Sequence, residues 1–511
     1  MKVGLFFGAG AEVDYGMPLG GRFALEIFRQ DATPDKALLE AQLAAVDPRS
    51  IYANTWLPEK YFQQSLWKFG KREFSALVES TIEHRRRDLL DFLGSFDRRA
   101  ARVLAGSQLS RERFQQAVEE LSGYKFGQRR YGNVVELNDA LSDDVSLFSS
   151  EYFSAFLSVL EAVDDGRARP LQRLVLAFVQ LLVAVHGHRL VDSLSHQLFT
   201  RAPDELSFLQ DTPNMFRLEL SEVGKSSLEL VLDAPSFRVS DVSTNIEVVT
   251  GFARELLTEL IASCLDYRKL IDEYFHYLFS PRAHWAKFTR IATFLLTVRR
   301  YIAEQVAPNE ARIAEGPGYY HDLGRFADHG LELAAVGTSN YNTFITDILA
   351  RELGEHPDVH HLNGGLADFY DPYLNKLVAL DSPDDLTRTE RLLVPFMLTQ
   401  SGTKPLTSVE MSERYVDLHR GFCDCDVVAV VGYGFNVDDS HINAIFRSLV
   451  ERQTPLVVFE FCANGDLDAE RDRRIRQGLR FERNAPVHLQ PVDAERMCGG
   501  RPWYERLSEL A

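Results

Sequence analysis

The sequence predicts an α/β protein whose parallel sheet comes from two distant parts of the chain, with a long and mostly helical segment inserted between them. Three observations lead to this prediction. Residues 2–7 form a short apolar run that ends in glycines, residues 35–325 are dominated by long amphipathic stretches, and short apolar runs return after about residue 330. Amphipathic periodicity is typical of helices, and short apolar runs are typical of buried strands.

The composition is that of a folded protein with a substantial core. The chain has 511 residues, enough for about two to four domains, and 45% of them are hydrophobic and 25% charged. The net charge of −18 argues against a surface made mainly to bind nucleic acid or anionic membrane. Five scattered cysteines without a CxxC pair indicate reduced thiols in the cytoplasm and argue against a four-cysteine zinc site.

The sequence predicts neither a signal peptide nor a membrane span. The apolar run at residues 2–7 stops at Gly8, and acidic residues follow it. The most apolar stretch, residues 174–185, is interrupted by Gln180 and falls short of the ~20 residues needed to cross a bilayer. This stretch is therefore predicted to be a buried helix.

A strand, a glycine-rich loop and a helix are predicted at the start of the sheet. The strand at residues 2–7 leads into Gly8 and Gly10, and a helical pattern begins near Phe23. Glycines between a strand and a helix let backbone amides approach a pyrophosphate. A bare GxG also fits a simple tight turn, and the GxGxxG fingerprint of dinucleotide-binding folds is incomplete here.

Residues 35–325 are predicted to form a mostly helical insertion, with charged faces along stretches such as residues 85–104 and 246–306. Within it, residues 213–240 alternate in the manner of strands, which predicts a small hairpin.

The short apolar runs after residue 330 predict the remaining strands of a parallel sheet, because they alternate with helical patterns such as residues 442–450. A single strand and helix cannot bury their apolar faces alone. Residues 1–34 and 326–511 are therefore predicted to form one discontinuous α/β domain around the insertion at 35–325. Its later strands are expected at residues 331–336, 359–362, 426–431, 455–461 and 486–489.

Polar and glycine-rich segments follow the predicted strands, at the edge where open α/β sheets bind ligands. They are Gly8-Ala9-Gly10-Ala11-Glu12, Thr338-Ser339-Asn340-Tyr341-Asn342, His360-His361-Leu362-Asn363-Gly364-Gly365 and Val431-Gly432-Tyr433-Gly434-Phe435. Together these segments resemble the sirtuin-like NAD-binding family, and its bacterial antiphage branch more closely than the protein deacylases.

The resemblance runs residue by residue in four places. Gly8-Ala9-Gly10 with Gly16-Met17-Pro18 is similar to the family's opening glycine loop. Thr338 to Tyr341 is similar to its (T/S)xNxD segment, which puts Asn340 on the catalytic asparagine. Residues 394–405 resemble a segment of the antiphage branch. The branch also has a glycine-rich turn. The segment similar to it here is Gly432-Tyr433-Gly434-Phe435 with Asp438, Asp439, Ile442 and Asn443.

Three positions depart from the family pattern. Glu12 stands where a serine is usual, Asn342 replaces the aspartate of the asparagine motif, and Asn363 takes the place of the histidine of the LHG motif. His361 is predicted to substitute for that histidine, because alternation along a strand directs His361 and Asn363 to the same face. A packed or surface histidine is the alternative.

The resemblance implies a Rossmann-like, sirtuin-like sheet and an NAD glycohydrolase that hydrolyses NAD to nicotinamide and ADP-ribose. In the antiphage branch such an enzyme is the toxic effector of a bacterial defence system and depletes NAD on infection. NAD would be the substrate, with no further cofactor, and the insertion would serve oligomerisation or a partner defence protein that gates activity. The alternative is a non-catalytic subunit of a defence complex that senses a nucleotide or acts as a scaffold. Direct binding of nucleic acid or membrane is not expected.

Asn340, His361 and Glu12 are the predicted catalytic residues. Asn340 would position water or the ribose, the histidine would polarise a hydroxyl, and Glu12 would stabilise positive charge developing on the sugar. A helix cap is the alternative role for Asn340 and for Glu12, and a solvated loop is the alternative for Glu460. The resemblance implies NAD contacts for Gly8, Ala9, Gly10, Ala11, Pro18, Thr338, Ser339, Asn363, Gly432, Tyr433, Gly434, Phe435 and Glu460.

Overall fold

The computed structural model of the protein divides into two compact units. One contains Met1–Gly20, Gln30–Lys68 and Arg268–Ala511, and the other contains Gly21–Arg29 and Phe69–Tyr267. The structure describes residues 1–18, 20–70, 85–106, 109–132, 136–137, 147–163, 166–186, 199–201, 230–232, 243–264, 273–354, 356–380, 383–397, 408–436, 439–462, 469–481 and 485–510, together with residues 73, 76, 77, 82 and 271. Most of the predicted hairpin at 213–240, residues 398–405 of the segment similar to the antiphage branch, and Asp438 lie outside the described residues.

The first unit is built on a six-stranded sheet in which every neighbouring pair of strands is parallel. Its strands are β1 (Lys2–Phe7), β2 (Glu332–Thr338), β3 (Val359–His361), β4 (Val427–Val431), β5 (Leu456–Phe461) and β6 (Val487–Val492). The order across the sheet is β6, β5, β4, β1, β2, β3, which is the order of doubly wound dinucleotide-binding sheets. The prediction of an α/β protein with a parallel, Rossmann-like sheet is confirmed.

The centre of this sheet is formed by strands that are almost entirely buried. All five residues of β4 are buried, and so are Leu5, Phe6 and Phe7 of β1. A strand of this kind is covered on both faces, and it therefore reads as a continuous apolar run rather than an alternating one. Phe7 at the end of β1 is in register with Thr338 of β2 and with Val431 of β4. The carboxyl ends of three strands thus meet at the middle of one sheet edge.

Helices of the first unit alternate with the later strands, as the βα pattern predicts. Helix Phe344–Leu353 follows β2, and helix Ser440–Glu451 lies between β4 and β5. The other α-helices are Thr33–Ala45, Ile51–Trp56, Trp285–Val306, Glu310–Glu315, Tyr319–Asp322, Val409–Cys423, Ala469–Leu479 and Leu507–Leu510. The 3-10 helices are Ala9–Tyr15, Tyr61–Gln63, His276–Phe279, Ala307–Asn309, Leu323–Arg325, Ala327–His329, Pro383–Arg388 and Trp503–Arg506. Two small antiparallel sheets consist of Asp368–Asp371, Lys376–Ala379 and Val394–Pro395, and of Met497–Cys498 and Arg501–Pro502.

The second unit is mostly helical in its described part. Its α-helices are Gly20–Arg29, which crosses the unit boundary, Arg86–Gly94, Phe96–Gly106, Arg111–Ser122, Glu151–Ala162, Arg169–His186 and Asn245–Cys264, with 3-10 helices at Leu147–Ser149 and Gly166–Ala168. Glu136–Leu137 and Phe199–Arg201 form a short antiparallel pair. The window Gly166–Val185 is long and apolar enough to cross a membrane, but 67% of it is buried inside the structure, as in the core helix of a folded unit.

The boundaries of the two units differ from the predicted 1–34, 35–325 and 326–511. Helices Thr33–Ala45 and Trp285–Val306 belong to the sheet unit. Asp35 of the first helix accepts hydrogen bonds from Arg300 (3.0 Å) and Thr297 (2.8 Å) of the second, which ties the two together. Conversely, the helix that follows the glycine loop belongs to the helical unit from Gly21 onward. Apolar spacing indicates that a segment is helical, but it carries no information about which core the helix joins.

Candidate functional site

The candidate site lies where the segments after β1, β2 and β4 meet at the sheet edge. The chain order reverses between β1 and β4, because β1 continues to β2 on one side while β4 leads to β5 on the other. In open α/β sheets the crevice outside the carboxyl ends of the strands at such a point is the usual ligand site. The register of Phe7 with Thr338 and Val431 brings together three of the four segments singled out in the sequence.

The loop after β1 packs backbone to backbone against the loop after β4. The amides of Gly8 and Gly10 donate to the carbonyls of Val431 and Gly432, both at 2.9 Å. A Cβ atom on Gly8 would lie 2.6 Å from the Gly432 carbonyl oxygen, and one on Gly432 would lie 2.2 Å from the amide nitrogen of Ala11. Gly432 also has a φ of 66°. These glycines are needed so that the two loops can approach each other.

This packing corrects the expectation that the loop amides approach a pyrophosphate. Besides those of Gly8 and Gly10, the amide of Ala11 is engaged, since it donates to the Gly8 carbonyl at 3.0 Å. All three donors are therefore saturated within the protein. Ala9 is exposed at the tip of the loop, and Pro18, farther along, is half-buried.

Glu12 is buried inside the site and is held by two side-chain donors. Only 3% of its surface is exposed. The Tyr320 hydroxyl donates to Oε1 at 3.1 Å and Nδ2 of Asn342 donates to Oε2 at 2.6 Å. Burial raises the pKa of Glu12 to about 7, although both hydrogen bonds act to lower it. The side chain contacts no helix N-terminus through these bonds, so the helix-cap alternative is wrong.

Asn340 lies directly beside Glu12, between the ends of β1 and β2. Its Nδ2 donates to the Gly8 carbonyl at 3.0 Å and to the Tyr320 hydroxyl at 3.4 Å. The backbone amide of Asn340 donates to the Thr338 hydroxyl at 3.0 Å, and that hydroxyl in turn donates to the Phe7 carbonyl. The residue that precedes helix Phe344–Leu353 as its cap is Thr343, so Asn340 is not a helix cap.

Tyr320 connects Asn340 to Glu12, and sequence reasoning missed it. Its hydroxyl accepts from Asn340 and donates to Glu12, and its ring stacks on Tyr15 with centroids 5.1 Å apart. Burial and the adjacent carboxyl of Glu12 raise the pKa of Tyr320 well above its usual value. The residue comes from a four-residue helix, Tyr319–Asp322, which is too short to show a periodic signal.

The first two departures from the family pattern, Glu12 and Asn342, touch each other. Where serine and aspartate are usual, this chain has glutamate and asparagine, and the two are joined by the 2.6 Å hydrogen bond. The carboxyl group of this pair is that of Glu12. Oδ1 of Asn342 is buried without a hydrogen-bond partner.

His361, at the end of β3, reaches the same group of residues. Its Nδ1 lies 3.0 Å from the carbonyl of Asn340. Because a carbonyl only accepts, Nδ1 carries the proton and Nε2 carries the lone pair. Burial lowers the pKa of His361, which favours this neutral form. His360 instead lies 3.8 Å from Asp358. The strand ends at His361, so the alternation that was expected to relate His361 to Asn363 does not extend to Asn363.

Asn363 and Ser339 are bonded to each other at the edge of the site. Nδ2 of Asn363 donates to the Ser339 carbonyl at 3.1 Å, and both residues are buried. Asn363 therefore ties the segment after β3 to the segment after β2.

Tyr433 and Phe435 point their side chains into the core. Both are buried, and their rings pack against each other with centroids 4.9 Å apart. The Tyr433 hydroxyl donates to Asn443 at 3.0 Å. Their rings hold the loop in shape rather than facing a ligand, whereas Gly432 before them and Gly434 between them are half-buried.

Glu460 at the end of β5 pairs with two arginines of helix Ala469–Leu479. Its Oε1 lies 3.6 Å from Arg471 and 3.6 Å from Arg474. Burial raises its pKa, against the effect of both arginines. The carboxylate is thus paired with cations of the protein itself.

Among the described residues, no group of three or more His, Cys, Asp or Glu side chains is arranged to hold a metal ion. The arrangement instead combines a carboxyl that titrates near neutral pH, an oriented amide and a neutral imidazole. These can hold or move a proton and orient a polar ligand. Comparison of the chain with protein-family models, with curated proteins and with solved structures yields no match.

Proposed function

We propose that the protein is a sirtuin-like NAD glycohydrolase that hydrolyses NAD to nicotinamide and ADP-ribose. The observation that carries the proposal is the meeting of Glu12 and Asn340 at the carboxyl ends of β1 and β2, where Tyr320 bridges them. A carboxyl group with a pKa of about 7 at the ligand-binding edge of a dinucleotide-type sheet is a common sign of a catalytic group.

The proposed chemistry needs positioning more than acid catalysis. The nicotinamide of NAD is a cationic leaving group, and its departure leaves positive charge on the ribose. Ionised Glu12 would stabilise that charge, and the amide of Asn340 would orient the ribose or the attacking water. Water adds to the anomeric carbon and its proton passes to the lone pair on Nε2 of His361, which is the basic atom of that ring.

The biological role follows from the resemblance noted in the sequence. We propose that the enzyme is the effector of a bacterial antiphage system and acts in the cytoplasm, where depletion of NAD stops the infected cell. The helical unit would then carry the contacts for oligomerisation or for a partner defence protein that keeps the enzyme silent.

The test is release of nicotinamide from NAD, measured by chromatography with the purified protein alone and with the product of a neighbouring gene. Asn340→Ala is expected to lower the rate about 100-fold or more, because one oriented hydrogen-bonding group is lost. The matched control is Asn54→Ala, an exposed asparagine of helix Ile51–Trp56, which should keep the wild-type rate. Equal rates for the two variants would refute the assignment of the site.

A second candidate is a subunit that binds a nucleotide without cleaving it. The donors of the Asn340 side chain already bond to Gly8 and Tyr320, and only 6% of the residue is exposed. On this account calorimetry detects NAD binding, no nicotinamide is released under any condition, and Asn340→Ala changes affinity alone.

A further inference from the structure

Arg299 is a half-buried cation that forms no ion pair with any carboxylate of the described residues. It lies in helix Trp285–Val306, with its guanidinium 5.0 Å from the ring centroid of Phe369. Burial lowers its pKa, and no neighbouring carboxylate opposes that effect. The guanidinium nevertheless remains charged at neutral pH.

Arg299 is attached to the candidate site through one loop. Its Nε donates to the Leu366 carbonyl at 2.7 Å, and the Leu366 amide donates to the Tyr341 carbonyl at 2.9 Å. Tyr341 directly follows Asn340. A Cβ atom on Gly365 would lie 3.7 Å from the His361 ring, so the same loop also borders the predicted base.

The loop that holds Arg299 is rigidly placed. Gly364 has a φ of 83°, and a Cβ atom there would lie 2.1 Å from the Phe396 carbonyl oxygen. Asp368 accepts a hydrogen bond from the Gly365 amide at 2.8 Å and a two-pronged contact from Arg414. Because the loop is fixed at both ends, it can hold the guanidinium of Arg299 in one position.

The terminal nitrogens of Arg299 remain available. Neither Nη1 nor Nη2 bonds to a described residue, and neither is shut off from solvent. Leaving a charge partly desolvated without a partner is costly, and a planar guanidinium is well suited to hold an oxyanion through two parallel hydrogen bonds. At the glycine loop, the amides of Gly8, Gly10 and Ala11 are already engaged, so the site needs another group for an anion.

We propose that Arg299 is an oxyanion-binding residue of this site and that the anion it takes is a phosphate group of the nucleotide. The identity of the ligand as a nucleotide rests on the proposed function, whereas the anion site itself does not.

The experiment is titration calorimetry of the full chain with NAD, pyrophosphate and nicotinamide riboside, which lacks phosphate. Wild type is compared with Arg299→Gln, Arg299→Lys and a control, Arg420→Gln, whose side chain is 74% exposed. Arg299→Gln is expected to weaken NAD and pyrophosphate about tenfold or more, as for loss of a charge-assisted hydrogen-bond pair. Binding of nicotinamide riboside should be unchanged. Arg299→Lys keeps the charge but loses the two parallel hydrogen bonds, so it should bind pyrophosphate more tightly than Arg299→Gln and less tightly than wild type.

The outcomes separate this inference from the proposed function. Unchanged affinities of Arg299→Gln for NAD and pyrophosphate would overturn the anion site, even if nicotinamide is still released. Equal loss in the Gln and Lys variants, extending to nicotinamide riboside, would mean that Arg299 only holds the loop, and would overturn it too. Weakened NAD and pyrophosphate binding without any nicotinamide release would support the anion site while the glycohydrolase proposal fails. A wild type that binds neither NAD nor pyrophosphate would refute both.

Discussion

Replacing Glu12 with glutamine is expected to remove a large pH dependence from the stability of the sheet unit. Burial raises the pKa of Glu12 from 4.5 to about 7. Between those values the folded state keeps a proton that the unfolded state releases, so the free energy of unfolding falls as pH rises. The contribution of Glu12 is fully present below pH 4.5 and is lost as pH passes about 7.

The magnitude follows from the size of the pKa change. About 2.5 pKa units correspond to about 3 kcal/mol of stability, most of it lost between pH 5 and pH 8. Glutamine imitates the protonated carboxyl, and its amide can donate to Oδ1 of Asn342 if the Asn342 amide turns over. That oxygen is buried and has no partner in the wild type. Glu12→Gln should therefore be more stable than wild type at pH 8.

The assay is urea unfolding of both proteins at pH 5 and pH 8. The stability of Glu12→Gln relative to wild type should rise by about 2 to 3 kcal/mol between the two pH values. Glu40→Gln, an exposed substitution in helix Thr33–Ala45, controls for the general effect of removing a carboxylate. If Glu12→Gln and wild type lose stability in parallel over this range, the burial argument for Glu12 is wrong.

His361→Ala should slow NAD hydrolysis about 100-fold or more, a typical effect of losing a general base, because the bond from Nδ1 to the Asn340 carbonyl leaves Nε2 as the basic atom. His360→Ala should leave the rate nearly unchanged, and equal rates in a nicotinamide-release assay would contradict this difference. Gly8→Ala should cost about 1 to 3 kcal/mol of stability, since its Cβ would lie 2.6 Å from a carbonyl oxygen. Gly434→Ala, with its nearest neighbour 3.5 Å away, should melt within a few degrees of wild type; similar melting temperatures for both glycine variants would rule out a tight loop contact.

Much of the sheet could be predicted from the sequence because its strands are short and apolar. The predicted strand at 426–431 is observed as Val427–Val431, and the one at 455–461 as Leu456–Phe461. The approach of Asn340 to Gly8 also follows from the sequence, since residues after neighbouring parallel strands share one sheet edge. The order of the strands was not predicted from the sequence, and this order is what makes β1 and β2 neighbours.

Other parts of the site could not be predicted because they depend on contacts between distant segments. Tyr320 reaches Glu12 from a one-turn helix. The adjacent residues Tyr319 and Tyr320 form no periodic pattern from which this contact could be predicted. Arg299 belongs to a long amphipathic helix, and the pattern of such a helix predicts that its arginines are exposed to solvent. The glycines at 8 and 10 indicate that another group approaches this loop closely. That group is the backbone of Gly432, and the sequence cannot distinguish a protein backbone from a phosphate in this role.

The position of β1 at the centre of the sheet also constrains how the chain is made. β1 is synthesised well before both of its partners, which are Glu332–Thr338 and Val427–Val431. At about 5–20 residues per second, the ribosome needs on the order of 20 to 80 s to deliver both partners. During that time Val3, Leu5 and Phe7 belong to an unpaired apolar strand, which is the kind of segment that chaperones bind. The candidate site can therefore be completed only after Val427–Val431 has been synthesised.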